Sequence, residues 1–156
     1  MKNPTILQLT PFFSPNVGGV ETHLNDLIAL LGKQNYKVIV LTYQALMGKI
    51  RGKRKEVSKN VEIIRIPWFS NLFYKTARSP LLHFLYLTPC LLLYCLAFMV
   101  RRRREIDILH AHGINAAYVG AIIKILFGKP LAISMHVEIN FEKGLFFHPG
   151  PALATI

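Results

Sequence analysis

The sequence predicts an α/β fold, a parallel sheet with helices on both faces, and three features carry that prediction. Short apolar, β-rich runs read as buried strands. Between them lie segments whose apolar positions recur at helical spacing. The two kinds of segment alternate through short connections, which implies βαβ units, and right-handed crossovers then place helices on both faces of the sheet.

The elements follow in order. Thr5–Thr10 (TILQLT) is the first strand, ended by Pro11. Pro11–Gly19 carries two prolines and two adjacent glycines and is a loop. From Val20 to Lys33 the positions Val20, Leu24, Leu27, Ile28 and Leu31 mark a helix, and Glu21 in its first turn complements the helix dipole. Lys37–Tyr43 (KVIVLTY) is the second strand. A polar, basic loop precedes the third, Val61–Pro67 (VEIIRIP). Ile106–Ala111 is the fourth strand. Ile114–Phe127 is a helix stopped by Gly128 and Pro130, and Leu131–His136 (LAISMH) is the fifth strand. The chain therefore reads as one domain over residues 1–140 with an irregular tail over 141–156.

At 156 residues and 52% hydrophobic content, the chain is long and apolar enough for a core, which excludes disorder for its bulk. The formal net charge is +11. Ten of the nineteen basic residues sit in two runs, Lys49–Lys59 and Arg101–Arg104. Clustered positive charge suits a polyanion: nucleic acid, an acidic membrane leaflet or a phosphorylated ligand. The runs lack interleaved aromatics and any nucleic-acid motif, so nucleic acid is not an expected partner. Cys90 and Cys95 fit neither a zinc knuckle nor a CxxC pair and read as small apolar residues in a reducing compartment. MKNPTILQL has too short an apolar run and too early a proline for a signal peptide.

Pro80–Val100 (PLLHFLYLTPCLLLYCLAFMV) carries no charge and is followed at once by four arginines. As one helix it would reach about 31 Å, roughly a bilayer core. Its place between the third and fourth strands opposes spanning, because a crossing would divide the sheet. Residues 79–104 are therefore expected to form a membrane-associating helical segment plus basic run, packed on the sheet with one face in the interface. Pro89 is expected to kink or break it into two shorter helices. The expected location is the cytoplasmic face of a membrane, peripheral rather than spanning.

A parallel sheet binds ligands beyond the carboxyl ends of its strands. Pro11–Gly19, His110–Gly113 and His136–Glu138 all fall there. Gly18 and Gly19 lead into a helix N-terminus, whose N–H groups and partial positive charge suit a phosphate. Taken alone, such a glycine pair more often forms a tight turn with no ligand. GxGxxG and the P-loop lysine pattern are absent, so the ordinary NAD and ATP readings lose support. His110 and His112 share a strand face, yet no third ligand accompanies them, so no metal is expected.

The run Phe13–Glu21 (FSPNVGGVE) resembles the FxPxxGGxE signature of glycosyltransferase family 4, of the GT-B fold. The resemblance continues in order through Leu27–Leu31 with Tyr36–Thr42, Val61–Pro67, Asp107–Gly113 (DILHAHG) and Ser134–His136 (SMH). It covers the chain to about Glu138, with Asn35-Tyr36 where the family has Gly-His. It implies a Rossmann-like fold and a retaining transfer from a nucleotide sugar, UDP-, GDP- or ADP-linked, to a hydroxyl of a glycan or membrane-associated acceptor. It implies no cofactor. His136 would be the catalytic histidine that contacts the transferred sugar. Gly18, Gly19, Glu21, His112 and Glu138 would bind substrate, with Glu21 ordering the glycine loop. The family's second, donor-binding domain with its EX7E motif has no counterpart in these residues, so the implied partners include that domain, the substrates and an anionic membrane surface. The alternative is a non-catalytic membrane-bound module, a truncated product or one half of a two-chain glycosyltransferase.

Overall fold

The computed structural model describes residues 3–45, 51–67 and 79–135. The elements run β1 (Thr5–Leu9), α1 (Gly19–Lys33), β2 (Lys37–Tyr43), β3 (Lys55–Ser58), β4 (Val61–Ile66), α2 (Pro80–Arg102), β5 (Ile108–His112), α3 (Gly113–Phe127) and β6 (Leu131–Ser134). They form one six-stranded sheet in the order β3-β4-β2-β1-β5-β6. Every pairing is parallel except β3 with β4. The predicted α/β class is the observed one.

The strands that cross the centre of the sheet are apolar on both sides because both sides are covered. In β2, Val38 and Val40 join Leu24 and Ile28 of α1 and Phe13 in one core. Ile39, Leu41 and Tyr43 turn the other way and pack with Leu7, Leu9 and Leu109 under α2 and α3. This two-sided burial is why KVIVLTY shows no alternation of polar and apolar residues.

The sheet differs from the sequence expectation at its edge. Lys55–Ser58, inside the expected basic loop, is a strand paired antiparallel to β4 (Lys55 opposite Ile64, Ser58 opposite Val61). Its residues are largely exposed, so no burial pattern marks it. Its lysine-bearing outer edge is the usual means by which an edge strand resists pairing with another chain.

α2 is one helix of 23 residues with Pro89 inside it, rather than two. Ser79 caps its start, its hydroxyl accepting from the Leu82 N–H at 3.1 Å. Leu87, Leu91, Cys95 and Met99, spaced four apart, form a fully buried stripe against the sheet. The Tyr43 hydroxyl donates to the Leu87 carbonyl from β2. Pro89 stands on the exposed side of the helix, away from the buried stripe, and packing on the inner side keeps the helix continuous. The helix lies along a single undivided sheet, and among the described residues it is the one helix long and apolar enough to cross a membrane. Burial pushes the Cys95 thiol up to about 12, and both cysteines are free.

Two residues with left-handed backbone close helices, and one of them explains a departure in the resemblance. Asn35 stands where the family has glycine and adopts φ 62°. It closes α1 with two bonds, Asn35 N–H to the Gly32 carbonyl at 3.1 Å and Tyr36 N–H to the Leu31 carbonyl at 3.0 Å. This is a Schellman closure in which asparagine supplies the left-handed residue. At the end of α3, Gly128 takes φ 66° and its N–H bonds the Lys124 carbonyl at 2.8 Å.

Candidate functional site

The parallel strands β1, β2, β4, β5 and β6 share one carboxyl rim, so the loop after β1, the end of β5 and the end of β6 all open on the same edge. On the face covered by α1, the register orders the side chains into rows. Near the amino end the row is apolar, with Ile6 beside Val38 and Ile108. The next holds Ile63, Val40, Gln8 and His110. At the rim, Arg65 opposes Thr42 and His112 opposes Ser134. The same face thus passes from core to polar as it approaches the carboxyl edge.

These polar groups are linked. His112 Nε2 donates to Gln8 Oε1 at 2.7 Å, because an amide oxygen only accepts. His110 Nε2 is 2.8 Å from Ser134 Oγ. The two imidazoles are tilted against each other with centroids 4.1 Å apart. A line of side chains therefore runs across β1, β5 and β6. Gln8 and Thr42 are wholly buried, and Gln8 Nε2 and Thr42 Oγ1 lack a hydrogen-bond partner among the described residues. Sequence reasoning passed over Gln8, although a polar residue in the middle of TILQLT signals a buried polar partner.

The loop from Pro11 to Gly18 is fixed from beneath. Its Ser14–Pro15 peptide is cis, and the Asn16 N–H returns to the Phe13 carbonyl at 3.0 Å. Arg65, whose side chain is 2% exposed, reaches it from β4. Arg65 Nε and Nη2 donate to the Ser14 carbonyl at 3.0 and 2.8 Å. Its Nη1 donates to the Lys53 carbonyl at 2.8 Å and pairs with Glu56 at 2.7 Å. One guanidinium therefore ties the glycine loop to β3, a role the sequence alone did not reveal.

α1 begins at this rim with no side-chain cap. The two glycines there do different work. A Cβ on Gly18 would lie 2.5 Å from Glu21 Oε2, so Gly18 leaves room for the buried Glu21 carboxylate that folds back over the helix start. A Cβ on Gly19 would meet nothing within 4 Å. Gly19 is exposed at a helix N-terminus whose first amides have no helical acceptor, an arrangement that favours anions.

The structure brings Gly18, Gly19 and Glu21 together at the start of α1 and sets His112 in the neighbouring strand. His112 is buried, with its Nε2 engaged by Gln8, and its backbone caps α3. His136 and Glu138, like the tail over 141–156, lie outside the described residues. No group of three or more candidate metal ligands occurs among the described residues.

A mostly parallel six-stranded sheet, layered by helices on both faces and opening at its carboxyl rim on a glycine-led helix start, defines a Rossmann-like domain of the GT-B kind. The model of glycosyltransferase family 4 matches residues 17–153, and the chain belongs to that family. Its fold is similar to that of sucrose-phosphate synthase from Thermosynechococcus elongatus, with a TM-score of 0.67 at 15% identity over 90% of this chain and 35% of that chain. A second structure of that synthase gives a TM-score of 0.56 at 13% identity, over 85% of this chain and 63% of that chain. The chain spans about a third of the first neighbour's length and less than two thirds of the second's. No curated protein matches the chain.

Proposed function

We propose that this chain is the acceptor-side half of a retaining hexosyltransferase, peripheral on the cytoplasmic face of a membrane. It would transfer a sugar from a UDP-, GDP- or ADP-linked donor to a hydroxyl of a glycan or membrane-associated acceptor. The observation that carries this reading is the uncapped start of α1, with Gly19 facing open space at the ligand edge of the sheet. As the glycosidic bond to the donor breaks, negative charge grows on the departing diphosphate. Fixed N–H dipoles at the helix start stabilise that charge without reorganising. Glu21 and Arg65 hold the loop in the shape that presents them. In this reading a second domain supplies most of the donor site, and His136 contacts the transferred sugar.

The test is made on the protein completed with its donor domain, assayed for nucleotide release from each class of nucleotide sugar. Gly19→Val places its side chain in open space, so the fold is expected to survive it. Turnover is expected to fall about a hundredfold or more, the size of effect seen when one oxyanion donor is lost. His136→Ala is expected to lower turnover with little change in the melting temperature. Normal turnover in a folded Gly19→Val protein would refute the role of the helix start.

A further inference from the structure

α2 and α3 present a second apolar surface, on the side away from the sheet. On α2 the positions Leu82, Leu85, Leu93 and Val100 follow three- and four-residue helical steps opposite the buried stripe, and all are exposed, up to 70% for Val100. On α3, Tyr118, Ile122 and Ile125 do the same opposite Ala116, Val119 and Ile123, with Ile125 81% exposed. The helices are joined by the Phe84–Tyr118 ring contact at 5.0 Å and by Asn115 Nδ2 donating to Thr88 Oγ1 at 3.0 Å. An apolar stripe on each of two packed helices is more than scattered surface leucines. The sequence had singled out α2 alone.

Charge selects the occupant. Neither helix contains an aspartate or glutamate. The arginine run divides by function. Arg102 turns inward, where it donates to both oxygens of Glu62 at 2.9 and 2.8 Å and pairs with Glu105. Arg101, Arg103 and Arg104 remain exposed just past Val100, where the outward stripe of α2 ends. Aliphatic side chains without acidic neighbours, bordered by free cations, match an anionic lipid surface.

We propose that the joint outer face of α2 and α3 is a docking surface for an anionic bilayer, with Arg101, Arg103 and Arg104 on the headgroups and Arg102 serving the fold. The proposal rests on the peripheral placement proposed above, not on sugar transfer.

The experiment is flotation of the full chain with vesicles of phosphatidylcholine alone or enriched in phosphatidylglycerol. Partition onto the anionic vesicles is expected, and added salt should reduce it. The double variants Leu85→Ser/Leu93→Ser and Ile122→Ser/Ile125→Ser are each expected to weaken it about tenfold or more while keeping the thermal transition. Arg103→Gln/Arg104→Gln is expected to weaken it roughly fivefold per arginine. Arg102→Gln is expected to lower the thermal transition but leave partition of the folded protein unchanged. Undiminished partition of the α3 variant would overturn the two-helix surface while leaving peripheral attachment through α2 intact. No partition of the folded wild-type chain would overturn both. If the outward variants instead dissociate an oligomer and leave partition unaltered, the face binds a second copy and the lipid proposal is wrong.

Discussion

Asn35 and Arg102 show how single residues carry structure that neighbouring sequence does not announce. Asn35 holds a left-handed backbone at the end of α1, which most L-residues adopt only at a cost of about 1–2 kcal/mol. Asn35→Val is expected to destabilise by about that amount and Asn35→Gly to be neutral or slightly stabilising, read by urea denaturation. Arg102 bridges Glu62 in the sheet and Glu105 beyond the helix, with Lys37 and Lys55 completing the cluster. The Arg102 hydrogen bonds hold the Glu62 carboxyl below its ordinary range and bring Glu105 down to about 2. Both acids therefore bind fewer protons folded than unfolded. Their contribution is full above the ordinary carboxylate range and is lost as pH falls, for Glu105 on the way down to about 2. Arg102→Gln is expected to cost about 2 kcal/mol at neutral pH, and its deficit against the wild type should shrink on acidification toward pH 3. A deficit that stays constant with pH would show that the cluster lends no charge-dependent stability. Sequence spacing could not show the Arg102–Glu62 pair or the Gln8–His112 bond, because the partners lie 40 and 104 residues apart, the first pair meeting through the packing of α2 on the sheet and the second through the register of β1 and β5.

At the scale of elements, legibility followed burial. β2 was readable to its ends because every residue after Lys37 is buried, so tertiary packing and local pattern agree. α1 and α3 were readable within a residue, since each has one core-facing stripe. β3 was not, because its only apolar residue, Val57, is exposed and its strand geometry comes entirely from the ladder to β4. α2 was found as a segment, but its apolar composition all round concealed which side packs. The structure separates the sides, and mutation can test the separation. Leu91→Ala removes a fully buried side chain between β-sheet and helix and is expected to cost about 3 kcal/mol. Leu93→Ala, two residues along and 66% exposed, is expected to stay within about 0.5 kcal/mol. Similar losses from the two would mean that the helix packs in another rotation. The close approach of α3 to the sheet has its own requirement: a Cβ on Gly120 would come within 2.8 Å of Leu131, so the glycine sets that packing distance.

Across the whole molecule, the covering of the sheet is uneven, and that unevenness places function. The common rim of the glycine loop and the strand ends followed from the order of strands and helices alone, because parallel βαβ units leave no other arrangement. What order alone could not give is how deeply each strand is held. β1 is bonded on both edges, to β2 and β5, and every one of its residues is buried. Among the described residues β3 and β6 each pair on one side, and they are partly or fully exposed along their length. Opening an edge strand breaks one ladder and exposes little core, whereas opening β1 requires separating both halves of the sheet and both cores. Amide exchange should therefore divide the sheet. Leu7, Ile39 and Leu109 are expected to exchange only through global unfolding, with the free energy measured by denaturant. The amides of β3 and β6 are expected to exchange through smaller openings that denaturant hardly accelerates. If β6 exchanged as slowly as β1, its single ladder would have to be reinforced from beyond Met135. The rim residue Ser134 and His110 one row below it, which meet across the β5–β6 ladder, would then belong to the rigid centre of the molecule rather than to an edge free to adjust around a ligand.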